Sequence, residues 1–525
     1  MKRIIVMSLL SLTALGIYAQ DTYQNATVSE KDLNGTARYV GMGGAMEALG
    51  ADISTIGSNP AGIGLFRSSQ AALSLGIHSV TGDDVSFDNP SKTKPSFDQV
   101  GFVIAVPTNQ SSYLNFGFNY HKSRNFNSVI SAANRLNNAS QNKLSFIKHD
   151  LGLWESNDNS YSQVDDLYDY VLNGVVDERG HMTEHFKCYY NADRFAMEQI
   201  EEGYVGDYDF NISGNINNTV YLGVTLGIQD VHYQSYSVYS ENLLAADDRT
   251  SLGTVTLNDS RHISGTGYNL KAGIIFRPVE TSPFRIGAYV HTPTWYKLTT
   301  SNYTTLYNGL DKQYGNYDRM TDEESLEYRF NTPWLFGVSL GHTVGKDFAV
   351  GATYEYSDYG TLNNRVIDGG YYDGFDGYYY DNSSADMAMN RNTKYSLKGV
   401  HTLKVGAEMK VTPQLAVRAG YNYVSPKYSS DGYRDCSIES QGVYYASRTD
   451  YINWKETNRI TAGVGFSQDN FFIDFAMNYS KTNGEYFPFM SFYANKGDEH
   501  MNNICEMTKV SNERLQCLLT LGMRF

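Results

Sequence analysis

After residue 20 the 525-residue chain has no apolar run approaching the ~20 residues that a transmembrane helix needs. That absence excludes helical membrane spans. It does not exclude spanning strands, which hide their apolar side chains in alternation with polar ones. Cysteine is scarce. Cys188, Cys436, Cys505 and Cys517 are widely spaced, with no C-x-x-C pair, so no zinc-type site and no cofactor are expected. The first three fall in connectors, where an oxidising compartment permits a disulfide whose pairing the sequence leaves open. Basic charge is also short. With 42 Lys and Arg against 57 Asp and Glu, the net charge is −15 and no basic stripe stands out, which argues against nucleic acid as a partner. No nucleophile lies in a pattern with a base, so the chain is read as a non-enzyme.

Residues 1–19 read as a secretory signal peptide. Lys2 and Arg3 supply the positive start, Ile4 to Ala14 the short apolar stretch, and Ala19 the small residue at the cut. The mature chain is then expected to begin at Gln20. Tyrosine (43) and glycine (47) are both far above ordinary usage. Tyrosine suits a membrane interface, where its ring lies among headgroups and its hydroxyl meets water.

Period-two patterning carries the fold. Over 221–229, Leu222, Val224, Leu226 and Ile228 share one face, against Gly223, Thr225, Gly227 and Gln229. The same alternation recurs over 269–277, 402–411 and 471–480. A soluble sandwich would fill its polar face with charges. Here that face is rich in Gly, Asn, Thr and Tyr, as a crowded wet lumen requires. Candidate strands fall at 69–81, 99–106, 111–127, 205–217, 219–239, 255–278, 284–305, 325–344, 347–362, 397–411, 415–427, 453–468, 471–485 and 512–525. Fourteen is an even number, as in single-chain bacterial barrels. Short connectors such as Asn217-Asn218 and Gly345-Lys346 alternate with long ones, which predicts periplasmic turns, outer loops and both chain ends in the periplasm. The expected architecture is all-β: a transmembrane antiparallel barrel of about fourteen strands in the outer membrane. A closed barrel has no strand edge to pair, so a monomer is the default.

The longest connector, 128–204, is acidic, and Asp165 to Leu172 within it predicts a short helix. Gly369 to Asp381 forms a second, tyrosine-rich loop. It reads either as a binding surface or as a loop resting on the rim. The chain ends on Leu515, Cys517, Leu519, Leu521, Met523 and Phe525 in alternation. A terminal aromatic closing such a strand is similar to the signal read by the barrel insertion machinery, an expected partner during biogenesis.

Residues 20–68 differ from the rest. Small residues dominate 36–66, as a tightly packed plug would need, with short helices predicted over Ala45–Leu49 and Asp52–Ser58. Gly41-Met42-Gly43-Gly44-Ala45, then Asn59-Pro60-Ala61-Gly62, Gly267 to Gly273, Arg277-Pro278, His291-Thr292-Pro293 and Leu415 to Tyr421 resemble the FadL/TodX-type transporters of long-chain fatty acids and aromatic hydrocarbons. The 128–204 loop departs from that pattern. The resemblance implies a fourteen-stranded barrel (69–525) closed by an N-terminal hatch (20–68). It also implies uptake of a hydrophobic small molecule by lumen entry, hatch movement and lateral release into lipid. Arg38, Gly41, Gly43, Gly44, Asn59, Pro60 and Gly62 are the expected hatch residues.

By alternation Lys271, Arg277, Arg285, Glu355, Glu408, Arg418 and Arg459 point into the lumen, with Lys404, Asp474 and Arg524. Either they handle ligand or they form a satisfied ion-pair network. Two further functions stay open: a secretion or assembly barrel that docks a protein through its loops, and a haem-type receptor. No metal site is expected.

Overall fold

The structure is a computed structural model. It describes residues 21–525 except 82–84, 87–90, 154–160, 174, 177–181, 185–188, 246, 311–317, 322–323 and 376. The signal-peptide residues, the cut after Ala19 and Cys188 lie outside the described residues.

Among these residues fourteen antiparallel barrel strands form one closed sheet. They are β1 (Gln70–Thr81), β2 (Thr93–Pro107), β3 (Tyr113–Asn125, continued by Ser128–Ala139), β4 (Ala192–Ile216), β5 (Val220–Leu244), β6 (Ser251–Phe276) and β7 (Arg285–His291, continued by Trp295–Leu310). The circuit continues with β8 (Glu324–Asn331, then Leu335–Val344), β9 (Phe348–Asp358, continued by Asn363–Asp373), β10 (Gly399–Lys410), β11 (Leu415–Val424), β12 (Tyr451–Gln468), β13 (Phe471–Phe487) and β14 (Thr508–Arg524). Each pairs with the next, and β14 returns to β1 from Gln70↔Arg524 to Thr81↔Glu513. A closed ladder leaves no backbone edge to meet lipid.

Alternation sets the two faces. Leu222, Val224 and Leu226 stand exposed on the outer surface, as do Phe471, Ile473, Phe475 and Met477, while Asn211, Thr225, Asn269 and Asp474 are buried inside. Asn217 and Asn218 both take left-handed φ (52° and 56°), which gives the tight turn that two long twisted strands require. Trp295 and Trp334 keep 46% and 49% of their surface on the outer wall, whereas Trp454 lines the lumen. Brominated phospholipid is therefore expected to quench Trp295 and Trp334. The W295F/W334F variant should lose most of the quenchable emission, and an undiminished quench would contradict this outer face.

Strand limits exceed the sequence reading where long connectors were expected. Much of 128–204 is strand, because β3 and β4 continue together past the belt, paired from Ser128↔Glu201 to Arg135↔Arg194 and, after a shift of register, at Ala139↔Ala192. Between them lie the helices Gln141–Asp150 and Gln163–Tyr168, the second starting close to the predicted Asp165. These elements share one buried cluster with the tops of β4 to β7, β13 and β14, including Leu144, Val164, Tyr168, Leu243, Leu306 and Tyr486. The tyrosine-rich loop is a hairpin, Asn363–Asp373 against Tyr378–Ala385. Its rings face solvent rather than the rim, with Tyr371 and Tyr380 stacked at 5.3 Å between ring centroids.

Two adjacent strands break at the same level. β7 is interrupted at Thr292-Pro293-Thr294 and β8 at Thr332-Pro333-Trp334, where proline has no N–H for the ladder. Thr294 N donates to Thr332 Oγ1 (2.8 Å) and Thr332 N donates to the Thr294 carbonyl (3.1 Å), bridging the gap.

Candidate functional site

The lumen is occupied by residues 21–66. Helix α1 (Thr22–Val28) lies near the long-connector end, where Asp21 pairs with Arg434 at 2.8 Å. Phe525 lies at the opposite, short-turn end, its N–H on the Ser69 carbonyl. Asp21, the first described residue, and Phe525 thus lie towards opposite ends of the barrel. The segment then runs through 29–35 to helix α2 (Ala37–Gly41) and two 3-10 turns, Ile53–Gly57 and Pro60–Leu65. The helix falls at Ala37–Gly41 instead of Ala45–Leu49 because Thr36 is the cap. Its Oγ1 accepts from Tyr39 N (3.1 Å) and donates to Asp52 (2.8 Å). The predicted Asp52–Ser58 turn is present. Asn59 Oδ1 accepts from Ala61 N, capping the turn that starts at Pro60, and its Nδ2 donates to the Glu47 carbonyl (3.0 Å).

The wall is cut to receive this segment. Gly341↔Gly351, Gly351↔Gly406 and Gly406↔Gly420 are direct cross-strand partners, so four glycines form one inward row across β8 to β11. A Cβ at Gly351 would overlap the Ala45 carbonyl, at Gly406 the Met42 carbonyl, and at Gly420 the backbone of Met42 and Gly43. On the segment side Gly43 has φ +63° and sits 2.9 Å, by its would-be Cβ, from Tyr421 N. Glycine abundance in the strands is thus a matter of close backbone approach. Gly41 packs on Gly463, Gly44 on Tyr39 and Gly62 on Thr55; Pro60 accepts from Ser213 Oγ at its carbonyl (2.8 Å).

The predicted charged residues mostly pair with each other or with the segment. Arg38 is forked onto Glu408, Nε and Nη2 each at 2.9 Å. Glu408 also accepts from Arg418 (2.6 Å), and Arg418 reaches Asp474 (2.5 Å). Lys404 bridges Glu47 (3.0 Å) and Glu355 (2.8 Å). Lys271 pairs with Asp209 (2.6 Å), and Arg285 donates to the Leu49 carbonyl (3.0 Å). Arg277 is the departure: its guanidinium turns to the Ser282 and Glu280 carbonyls of the β6–β7 turn. Arg524 lies over Phe472. Glu47, fully buried and also bonded by Tyr39 and Thr353, is a hub that sequence reading missed.

Beyond the glycine row, towards the long connectors, a cavity of about 330 Å³ remains. Glu355 and Arg459 line it; Lys271, Arg277, Arg285, Glu408 and Arg418 do not. Apolar groups such as Val28, Leu335, Val400 and Trp454 share its surface with many charged ones. Glu30 meets Arg124 (2.5 Å) and Lys427, and Asp32 meets Arg124 (3.1 Å), Arg459 and Arg514 (both 3.5 Å). Burial alone would push the Asp32 carboxyl up, but Arg124, Arg514 and Arg459 hold it well below the usual carboxylate range. Arg124 and Arg514 occupy inward positions of strands that the alternation had placed, so their register was the available signal. Glu30 and Asp32 sit in a stretch with no period to read. The described residues contain no group of His, Cys, Asp or Glu suited to a metal, and Cys436, Cys505 and Cys517 are unbridged.

Closed register and an apolar outer belt define a transmembrane β-barrel. No protein-family model matches the chain, and no curated protein matches it. Among solved structures it is similar to the P. putida toluene transporter TodX, at 13% identity and TM-score 0.49, covering 94% of this chain and 99% of that one. It is similar to a Pseudomonas aeruginosa FadL homologue at 12% identity and TM-score 0.49, over 97% and 100%. The Ralstonia pickettii toluene transporter TbuX follows at 13% and 0.47, over 94% and 99%. The barrel assignment rests on the strand register rather than on these likenesses.

Proposed function

We propose that this chain is a monomeric outer-membrane channel for uptake of hydrophobic small molecules, such as long-chain fatty acids or aromatic hydrocarbons. The observation that carries the reading is a part-apolar cavity lying between the long connectors and a seated N-terminal segment. An open porin would leave a water column there instead. In this reading the long connectors face outward, the short turns lie in the periplasm, and residues 36–66 act as a hatch. A ligand enters from outside, the hatch shifts, and the ligand leaves sideways into lipid without crossing water. The paired breaks at Thr292–Thr294 and Thr332–Trp334 interrupt the ladder where Thr292, Thr294 and Thr332 line the cavity, which supports an exit there. The solvent-facing tyrosine hairpin supports a second reading, a barrel that docks a protein partner.

Cells expressing the chain are expected to accumulate labelled oleate or toluene several-fold faster than cells without it. Equal accumulation of both would contradict the proposal.

A further inference from the structure

The cavity's charge is opposite to that of the whole molecule. Its barrel-side lining carries nine Lys or Arg side chains against three carboxylates, in a chain of net charge −15. Sequence counting hides this, because the lining cations are dispersed over many strands and connectors. The N-terminal segment answers part of this excess through Asp21, Glu30 and Asp32, and adds one cation of its own, Lys31.

Four of the cations converge. Arg124 comes from β3, Arg459 from β12, Arg514 from β14 and Lys427 from the connector after β11. Two segment carboxylates, Glu30 and Asp32, are shared among all four. The cations are positioned by other bonds as well. Arg459 donates to Asn422 Oδ1 (3.0 Å), Arg514 to the Asn125 carbonyl (2.8 Å), and Lys427 to the Ala26 carbonyl (3.2 Å). Asn125 N donates to Asp32 Oδ2 at 3.0 Å, so the wall offers a backbone donor to the same anion. Arg124 Nε is buried with no hydrogen-bond partner among the described residues. The Glu30 and Asp32 side chains retain 26% and 21% of their surface, on the cavity side, so an incoming anion can reach the cluster.

We propose that Arg124, Lys427, Arg459 and Arg514 form an anion-binding site, and that Glu30 and Asp32 occupy it as an internal stand-in for the headgroup of an anionic amphiphile. An arriving carboxylate or phosphate competes for the four cations, and its apolar tail takes the Val400 and Trp454 side of the cavity. Leaving four cations unpaired in a confined space is costly, so the segment releases when an anion replaces it and stays when none does. The proposal deepens the uptake reading and rests on it for the route, whereas the site rests on the ion pairs themselves.

The test uses the full chain in neutral detergent, with decyl phosphate, decanol and inorganic phosphate as probes. Amide hydrogen exchange over residues 29–34 of the unaltered protein is expected to rise about tenfold with decyl phosphate and to stay unchanged with decanol. The E30Q/D32N variant should bind decyl phosphate about tenfold more tightly than the unaltered chain, with decanol affinity unchanged. Release of 29–34 by inorganic phosphate alone, at matched ionic strength, would support the site and make the free anion its ligand. No change with any anion, or equal effects of decyl phosphate and decanol, would overturn it. Failure of oleate and toluene uptake alongside anion-driven release would sink the hydrophobic-uptake reading and leave the site standing.

Discussion

The double variant G351V/G420V is expected to assemble as a heat-resistant barrel whose lumen no longer holds the N-terminal segment. Valine is a good strand residue, so the ladder itself tolerates the change. Both new side chains, however, enter space held by the backbone at Ala45 and at Met42–Gly43. Backbone cannot rotate away as a side chain can, and overpacking costs roughly 1–3 kcal/mol per site. At ~1.4 kcal/mol per tenfold, two sites shift the balance towards an unseated segment by at least about tenfold. Liposomes carrying the variant should swell in small sugars far faster than those carrying the unaltered chain. A variant that swells no faster would show that the glycine row does not seat the segment.

Arg418→Ala is expected to damage stability more than ligand handling. Arg418 is buried between Glu408 and Asp474 and does not line the cavity. Glu408 keeps Arg38 after the substitution, but Asp474 loses the cation it pairs with. Breaking a buried pair on one side costs about 3–5 kcal/mol. The temperature at which the folded barrel loses its fast gel mobility should fall, while uptake per folded barrel stays close to unaltered. R418M/D474N, which removes both charges, should recover part of the loss. Reduced uptake at an unchanged unfolding temperature would instead assign Arg418 to the ligand.

The barrel was largely legible in the sequence because strand alternation is a local signal, visible wherever one face meets lipid. All fourteen strands and the short turns at Asn217-Asn218 and Gly345 were placed that way. Ends were less legible. β3 and β4 continue as a paired ribbon beyond the belt, where the exposed positions (Ala133, Arg135 and Asn137, with Arg194 and Ala196) are small or polar and no longer carry the apolar row that marks a lipid-facing strand. The N-terminal segment stood apart by its small residues, yet its helix was misplaced, since Thr36 as a cap outweighs the alanine content of 45–49. Of the charged candidates, alternation found Lys271, Glu355, Glu408, Arg418 and Arg459. It also put Arg277 inward, where the adjacent turn captures the guanidinium. Neither Glu47 nor the Glu30–Asp32 pair was visible, because pairing between a non-periodic segment and a distant wall leaves no trace in spacing.

The most direct test of the account is planar-bilayer conductance of the unaltered full-length protein. A lumen filled by residues 21–66 predicts no steady open-pore current, with at most brief openings. A steady current of the size that an unplugged barrel carries would contradict it.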